Sequence, residues 1–163
     1  MARAPVKVVK RARVAAVVDR KLPAELFEKA RAAAANAYAP YSGFAVGAAV
    51  ETADGRIFAG ANLENASYGV TLCAEVGALQ AASSAGALRD IRRMVIVGGP
   101  IAGTSGRPRA TAPCGRCRQV IAEAAAVGGH DIEVWFADLS GRAVQRRTIS
   151  QLLPDAFGPD NLK

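Results

Sequence analysis

Apolar positions along the chain recur with two different periods, and the switch between them divides it into short elements. Leu22, Leu26, Ala30, Ala33 and Ala37 return at helical spacing, so a helix is predicted from Leu22 to Tyr38, with Pro23 in its first turn and Pro40 beyond its end. Phe44 to Val50 has the composition of a strand. Ala53-Asp54-Gly55 is a hairpin turn signal, and Arg56 to Ala61 is the partner strand. Val70 to Ser84 is alanine-rich and helical, with Gly86 as its stop. Met94 to Val97 is a short apolar run expected to be a buried strand, and Gly98 to Thr111 is expected to be a loop. Cys114 to Val127 is a further helix ended by Gly128-Gly129. Ile132 to Ala137 is a strand, Ser140-Gly141 a turn, Arg142 to Thr148 a final strand, and Ile149 to Leu153 a short helix. Helices interleaved with strands point to a layered α/β domain.

A length of 163 residues suits one domain with a core of its own. About half the residues are apolar, as in globular chains. No apolar run approaches the roughly 18 residues of a membrane span, and the first 21 residues lack the apolar stretch of a signal peptide, so a cytoplasmic location is expected. The net charge of +7 is concentrated in residues 1–21. Arg3, Lys7, Lys10, Arg11, Arg13, Arg20 and Lys21 stand there against Asp19 alone, leaving 22–163 close to neutral. This divides the chain into a basic tail, 1–21, and a single domain, 22–163. A basic tail attracts anions weakly and without specificity, so nucleic acid is not expected to be the main partner.

The three cysteines carry the candidate chemistry. They occur as Cys73-Ala74-Glu75 and Pro113-Cys114-Gly115-Arg116-Cys117. An odd number argues against a disulfide framework. Three thiolates fill three corners of a catalytic zinc site and leave the fourth for water, while a carboxylate close by can shuttle its proton. Cys114 and Cys117 share a helical face, and a helix N-terminus favours thiolates. Cys73 and Glu75 are two apart, which does not suit one helical face. Cys73 is therefore expected at the start of its helix. The plainer readings are three small buried hydrophobes, a Cys114–Cys117 redox pair, or a Glu75 that serves only the helix dipole. Cys-x-Glu followed by Pro-Cys-x-x-Cys is the zinc deaminase signature, and it favours the metal.

Around these residues the chain resembles the cytidine deaminase family, in its short homotetrameric form acting on free nucleosides. The likeness extends to Tyr41-Ser42-Gly43-Phe44-Ala45-Val46-Gly47-Ala48-Ala49, to Gly60-Ala61-Asn62-Leu63-Glu64-Asn65-Ala66-Ser67-Tyr68, to Pro113-Cys114-Gly115-Arg116-Cys117-Arg118-Gln119 and to Leu152-Leu153-Pro154-Asp155-Ala156-Phe157-Gly158-Pro159. It runs from about residue 22 to the end, with the motifs in the family's order. The resemblance implies a three-layer α/β/α sandwich on a mixed sheet of about five strands. It implies one Zn²⁺ per chain on Cys73, Cys114 and Cys117, with Glu75 as proton shuttle. Phe44 would line the base pocket, Asn62 and Glu64 would hydrogen-bond the ribose, and backbone near Ala74 would meet the pyrimidine edge. It also implies a homotetramer with active sites where subunits meet, Tyr68 and Phe157 lying near those interfaces. Read without the motif, Phe44 is equally a core aromatic and Asn62 and Glu64 a polar turn.

The expected reaction is hydrolytic deamination of cytidine and deoxycytidine. One alternative is deamination of another aminopyrimidine nucleoside such as blasticidin S. Another is a non-catalytic zinc module binding nucleic acid, which would want a fourth protein ligand. His130, the sole histidine, sits in a loop where a ligand role is not expected. One departure stands out. Many all-cysteine members carry arginine after the catalytic glutamate, where this chain has Val76. Arg118 or the N-termini of the two site helices are the expected substitute, offsetting the charge of three thiolates. The Arg107-Pro108-Arg109 loop is left as either a solvated insertion or a rim of the site.

Overall fold

The computed structural model describes residues 22–101 and 108–162; the tail 1–21 and Arg107 lie outside the described residues. Its elements are α1 (Ala24–Ala34), β1 (Phe44–Thr52), β2 (Ile57–Ala61), α2 (Ala74–Ser84), β3 (Ile91–Pro100), α3 (Gly115–Gly128), β4 (Glu133–Asp138), β5 (Val144–Thr148) and α4 (Ile149–Leu152). The strands form one sheet in the order β2-β1-β3-β4-β5. The β3–β4 pair is parallel and the others antiparallel. Parallel strands need a crossover, which α3 supplies.

Both faces of the sheet are covered. Ala48, Val50, Met94, Ile96, Val134 and Phe136 point to the side of α2, α3 and α4, where Leu79 and Ile121 complete a core. The alternate residues Ala49, Val95, Val97, Trp135 and Ala137 meet Leu26, Phe27, Ala30 and Ala34 of α1 on the other side. This is the three-layer α/β/α sandwich expected. Burial on both faces explains the apolar runs in β3 and β4, because neither face needs polar residues.

Two glycines set the spacing of the layers around the β1–β2 hairpin. A Cβ on Gly47 would fall 2.0 Å from Ala30 O, and one on Gly60 would fall 2.5 Å from Ala78 N and 2.7 Å from Ala74 O. The α1 and α2 backbones thus rest directly on the hairpin.

The sequence reading differs from the structure in three places. The helix expected from Val70 starts at Ala74, since Tyr68–Val70 forms a separate 3-10 turn and Cys73 is extended. β3 runs for ten residues, taking in Arg92 and Arg93 at one end and Gly98-Gly99-Pro100 at the other. Pairing with β1 from Phe44↔Pro100 to Glu51↔Arg93 holds Arg93 and Gly98-Gly99-Pro100 in the ladder despite the low strand propensity of glycine and proline, and Arg92 falls at a register shift. The first helix stops at Ala34, short of Tyr38.

Candidate active site

The site is built where two helices begin. Cys73 (φ −77°, ψ 152°) precedes α2, and Cys114 (φ −68°, ψ 169°) precedes α3. Each is the residue whose carbonyl accepts the first intrahelical bond, from Gly77 N at 3.2 Å and Arg118 N at 3.0 Å. Cys114 Sγ also accepts from Cys117 N at 3.5 Å. The free N–H groups and dipoles of both helices therefore favour negative charge at the same place. An extended Cys73 also lets Glu75, two residues on, share the sulfur's surroundings.

Cys73 Sγ lies 4.0 Å from Cys114 Sγ, which lies 3.4 Å from Cys117 Sγ. All three sulfurs are within 4.8 Å of one another. Tetrahedral zinc with Zn–S bonds of about 2.3 Å holds its sulfurs about 3.8 Å apart, so the set fits the ion. The Cys117 thiol donates toward Cys73, lowering Cys73 to about 6, and the same contact together with burial pushes Cys117 well up. Arg116 also lowers Cys73 through its charge.

Glu75 is 4% exposed, and burial raises its carboxyl above the ordinary range. Ala74, between Cys73 and Glu75, is fully buried. The segment Asn62–Glu64 is pinned beside the approach to Cys73. Leu63 and Leu72 exchange backbone bonds of 2.9 and 3.0 Å, while Tyr38 N donates to Asn62 O and Glu64 N to Tyr38 O. Asn62 Oδ1 accepts from Val46 N at 2.8 Å and its Nδ2 donates to Phe44 O at 3.0 Å, bracing the start of β1. Glu64 Oε2 accepts from Tyr41 N at 2.9 Å and Ser42 N at 3.2 Å. The Ser42 hydroxyl and these two N–H groups hold the carboxyl below its usual range. Phe44 lines a cleft of about 550 Å³ together with Gly98, Thr111 and Leu139.

Arg118 has a different set of partners from the sulfurs. Its Nε donates to Pro113 O at 3.0 Å and its Nη1 to Leu152 O at 3.1 Å. Gln119 Nε2 donates to Phe157 O at 2.7 Å. These two side chains fasten the C-terminal segment to α3. His130 lies at the far end of α3, with ring nitrogens 2.8 Å from Gly128 O and 2.6 Å from Ile91 O. Among the described residues the metal-binding cluster has three members, one short of a closed structural site. Of the Arg107-Pro108-Arg109 loop, Pro108 and Arg109 line the cleft beside Phe44.

The family model for the cytidine and deoxycytidylate deaminase zinc-binding region matches residues 20–128, which include all three sulfurs and Glu75. The chain belongs to that family. A cytidine deaminase of Mycobacterium tuberculosis is 45% identical over 130 residues, 80% of this chain and 85% of the relative. One from Halalkalibacterium halodurans is 43% identical over 89% of this chain and 98% of its own length. The crystal structure of a Burkholderia pseudomallei cytidine deaminase superposes with a TM-score of 0.71 at 43% identity, covering 84% of this chain and all of that one. Zinc is therefore the metal that this family's cysteines hold, and Cys73, Cys114 and Cys117 are placed to hold it here.

Sequence reasoning missed Arg116, whose Nη1 donates to Thr71 O at 3.1 Å across the gap between the two helix starts. Its position between two ligand cysteines was a usable signal, since a first-turn side chain of α3 stands beside the sulfurs.

Proposed function

We propose that this chain catalyses the hydrolytic deamination of cytidine and deoxycytidine to uridine and deoxyuridine with release of ammonia, as a pyrimidine-salvage enzyme of the cytoplasm. The observation that carries the reading is a buried carboxyl two residues from one of three clustered sulfurs, at the meeting of two helix N-termini. Zinc bound by those sulfurs supplies Lewis-acid activation of a water molecule. Glu75 takes the proton that this water releases and gives it to N3 of the pyrimidine. The water oxygen bonds to C4. Glu75 then delivers the water's second proton to the amino group, whose bond to C4 breaks to release ammonia and leave a carbonyl. Water and cytidine thus give uridine and ammonia with nothing left over.

Phe44 flanks the base, and an aromatic face suits a pyrimidine. Asn62 and Glu64 hold the ribose hydroxyls, as amide and carboxylate groups do well. Glu64 is held in its charged, accepting form by its N–H donors, which supports that role. Backbone at Ala74 meets the edge of the pyrimidine. The active form is a homotetramer, in which Tyr68 and Phe157, 72% and 59% exposed on this chain, are covered by neighbouring subunits.

A cytidine absorbance assay combined with zinc analysis tests the reading on wild type and Glu75→Gln. Both proteins should carry about one zinc per chain, and the variant alone should lose several orders of magnitude in rate. Fully loaded wild type that leaves cytidine untouched would end the proposal.

A further inference from the structure

Three thiolates around Zn²⁺ leave a net charge of −1, and charged Glu75 adds to it. Such a centre needs a cation nearby, both to retain the metal and to activate its water. Val76 carries no charge, and Arg118 has two of its nitrogens engaged by carbonyls of Pro113 and Leu152. Arg116 is placed differently. It lies on the first turn of α3 between Cys114 and Cys117, and its guanidinium crosses to Thr71 O, two residues before Cys73. The side chain therefore spans the gap between the two segments that deliver the sulfurs.

We infer that Arg116 is the charge-balancing residue of the three-sulfur site, and that its bond to Thr71 O holds the guanidinium where it faces that charge. The hydrogen bond fixes the position and the charge does the work. Arginine suits this task because its planar fork bonds a carbonyl with one nitrogen and leaves further N–H groups free to point elsewhere. Arg116 is exposed, so the side chain can be changed without opening a core. The inference rests on the three-sulfur metal site of the proposed function, and it is independent of which base is the substrate.

The test is zinc retention against a chromogenic chelator, measured on full-length wild type, Arg116→Ala, Arg116→Gln and Arg116→Lys at low and high salt. Arg116→Ala and Arg116→Gln should surrender zinc about 10–100-fold more readily than wild type, and Arg116→Lys should recover most of the loss. The gap should narrow at about 0.5 M salt, because an exposed charge is screened where a tether is not. In the deamination assay, the acidic limb of kcat/KM should move to higher pH in the two neutral variants. Equal zinc retention in all four proteins overturns the inference. So does equal impairment of Arg116→Lys and Arg116→Gln with no dependence on salt, which would leave Arg116 as a mechanical tie. The chelator assay uses no substrate, so its failure leaves the proposed reaction standing. A protein that is inert toward cytidine yet shows the zinc pattern would do the reverse.

Discussion

Cys73 and Cys114 occupy equivalent positions on two different helices: each is extended, each precedes the first helical residue, and their sulfurs lie 4.0 Å apart. The metal site is thus a junction between α2 and α3, and whatever binds there ties two elements far apart in sequence.

That junction makes the metal a stability element. Removing zinc from wild type with a strong chelator should lower the melting temperature, because an ion bound by the folded form alone stabilises it by mass action. Cys117 is fully buried. Cys117→Ser should lose zinc, melt earlier, and show no further response to chelator in a thermal scan. A chelator shift that persists in this variant would mean the ion sits elsewhere.

Gly60 should not tolerate even a methyl group. Its added Cβ would collide with backbone of α2 at Ala74 and Ala78. Gly60→Ala should cost about 1–3 kcal/mol in urea unfolding. Because Ala74 lies between Cys73 of the sulfur cluster and the buried Glu75, turnover should fall at temperatures where the variant is still folded. Gly115→Ala is the control: nothing lies within 4 Å of its added Cβ, and alanine favours a helix. It should unfold at or above the wild-type midpoint.

Acid should loosen the β4–β5–α4 corner. Partial burial alone would raise Asp131 and Glu133, but hydrogen bonds prevail. Ser150, Thr148 and Ile132 hold Asp131 down, and Trp135 and Arg146, with the Arg93 charge, hold Glu133 down. A carboxyl lowered by folding contributes stability that is complete above its unfolded value of about 4 and is lost as pH falls through the folded value. Urea midpoints taken from pH 7 to pH 2 should therefore drop below about pH 4. The drop should be smaller in Asp131→Asn and Glu133→Gln. Identical pH curves for all three proteins would refute the assignment.

Assembly is testable at two aromatic residues. Tyr68 packs edge-on against Tyr41, with centroids 5.9 Å apart, and Phe157 presents its side chain to solvent. Wild type should sediment as a tetramer at micromolar concentration. Phe157→Ala and Tyr68→Ala should shift it toward smaller species and lower the specific activity in step. A monomeric, fully active wild type would remove the tetramer.

Much of this site could be read from the chain because its chemistry is local. Three cysteines, one glutamate and a proline gave the metal set, and the two-residue offset of Cys73 and Glu75 implied a helix start that the structure has. The contacts across elements were hidden. The Gly60–Ala78 approach joins residues with no local pattern in common, and the Arg116–Thr71 bond spans 45 positions. The ends of β3 were lost for a related reason: Arg93, Gly98, Gly99 and Pro100 argue against a strand, and pairing with β1 and β4 keeps them in one. Val70 and Leu72 misled in the opposite direction: Val70 lies in the 3-10 turn, Leu72 bridges to Leu63 through its backbone, and both side chains are exposed on this chain.

Gln119 and Arg118 hold the carbonyls of Phe157 and Leu152, so the last stretch of chain is laced to the helix carrying two of the sulfurs. This bears on how the protein is handled. A surface attachment made at residues 152–157 would load those two bonds and, through them, α3. Anchoring through that stretch is accordingly the arrangement to avoid when the protein is mounted for assay.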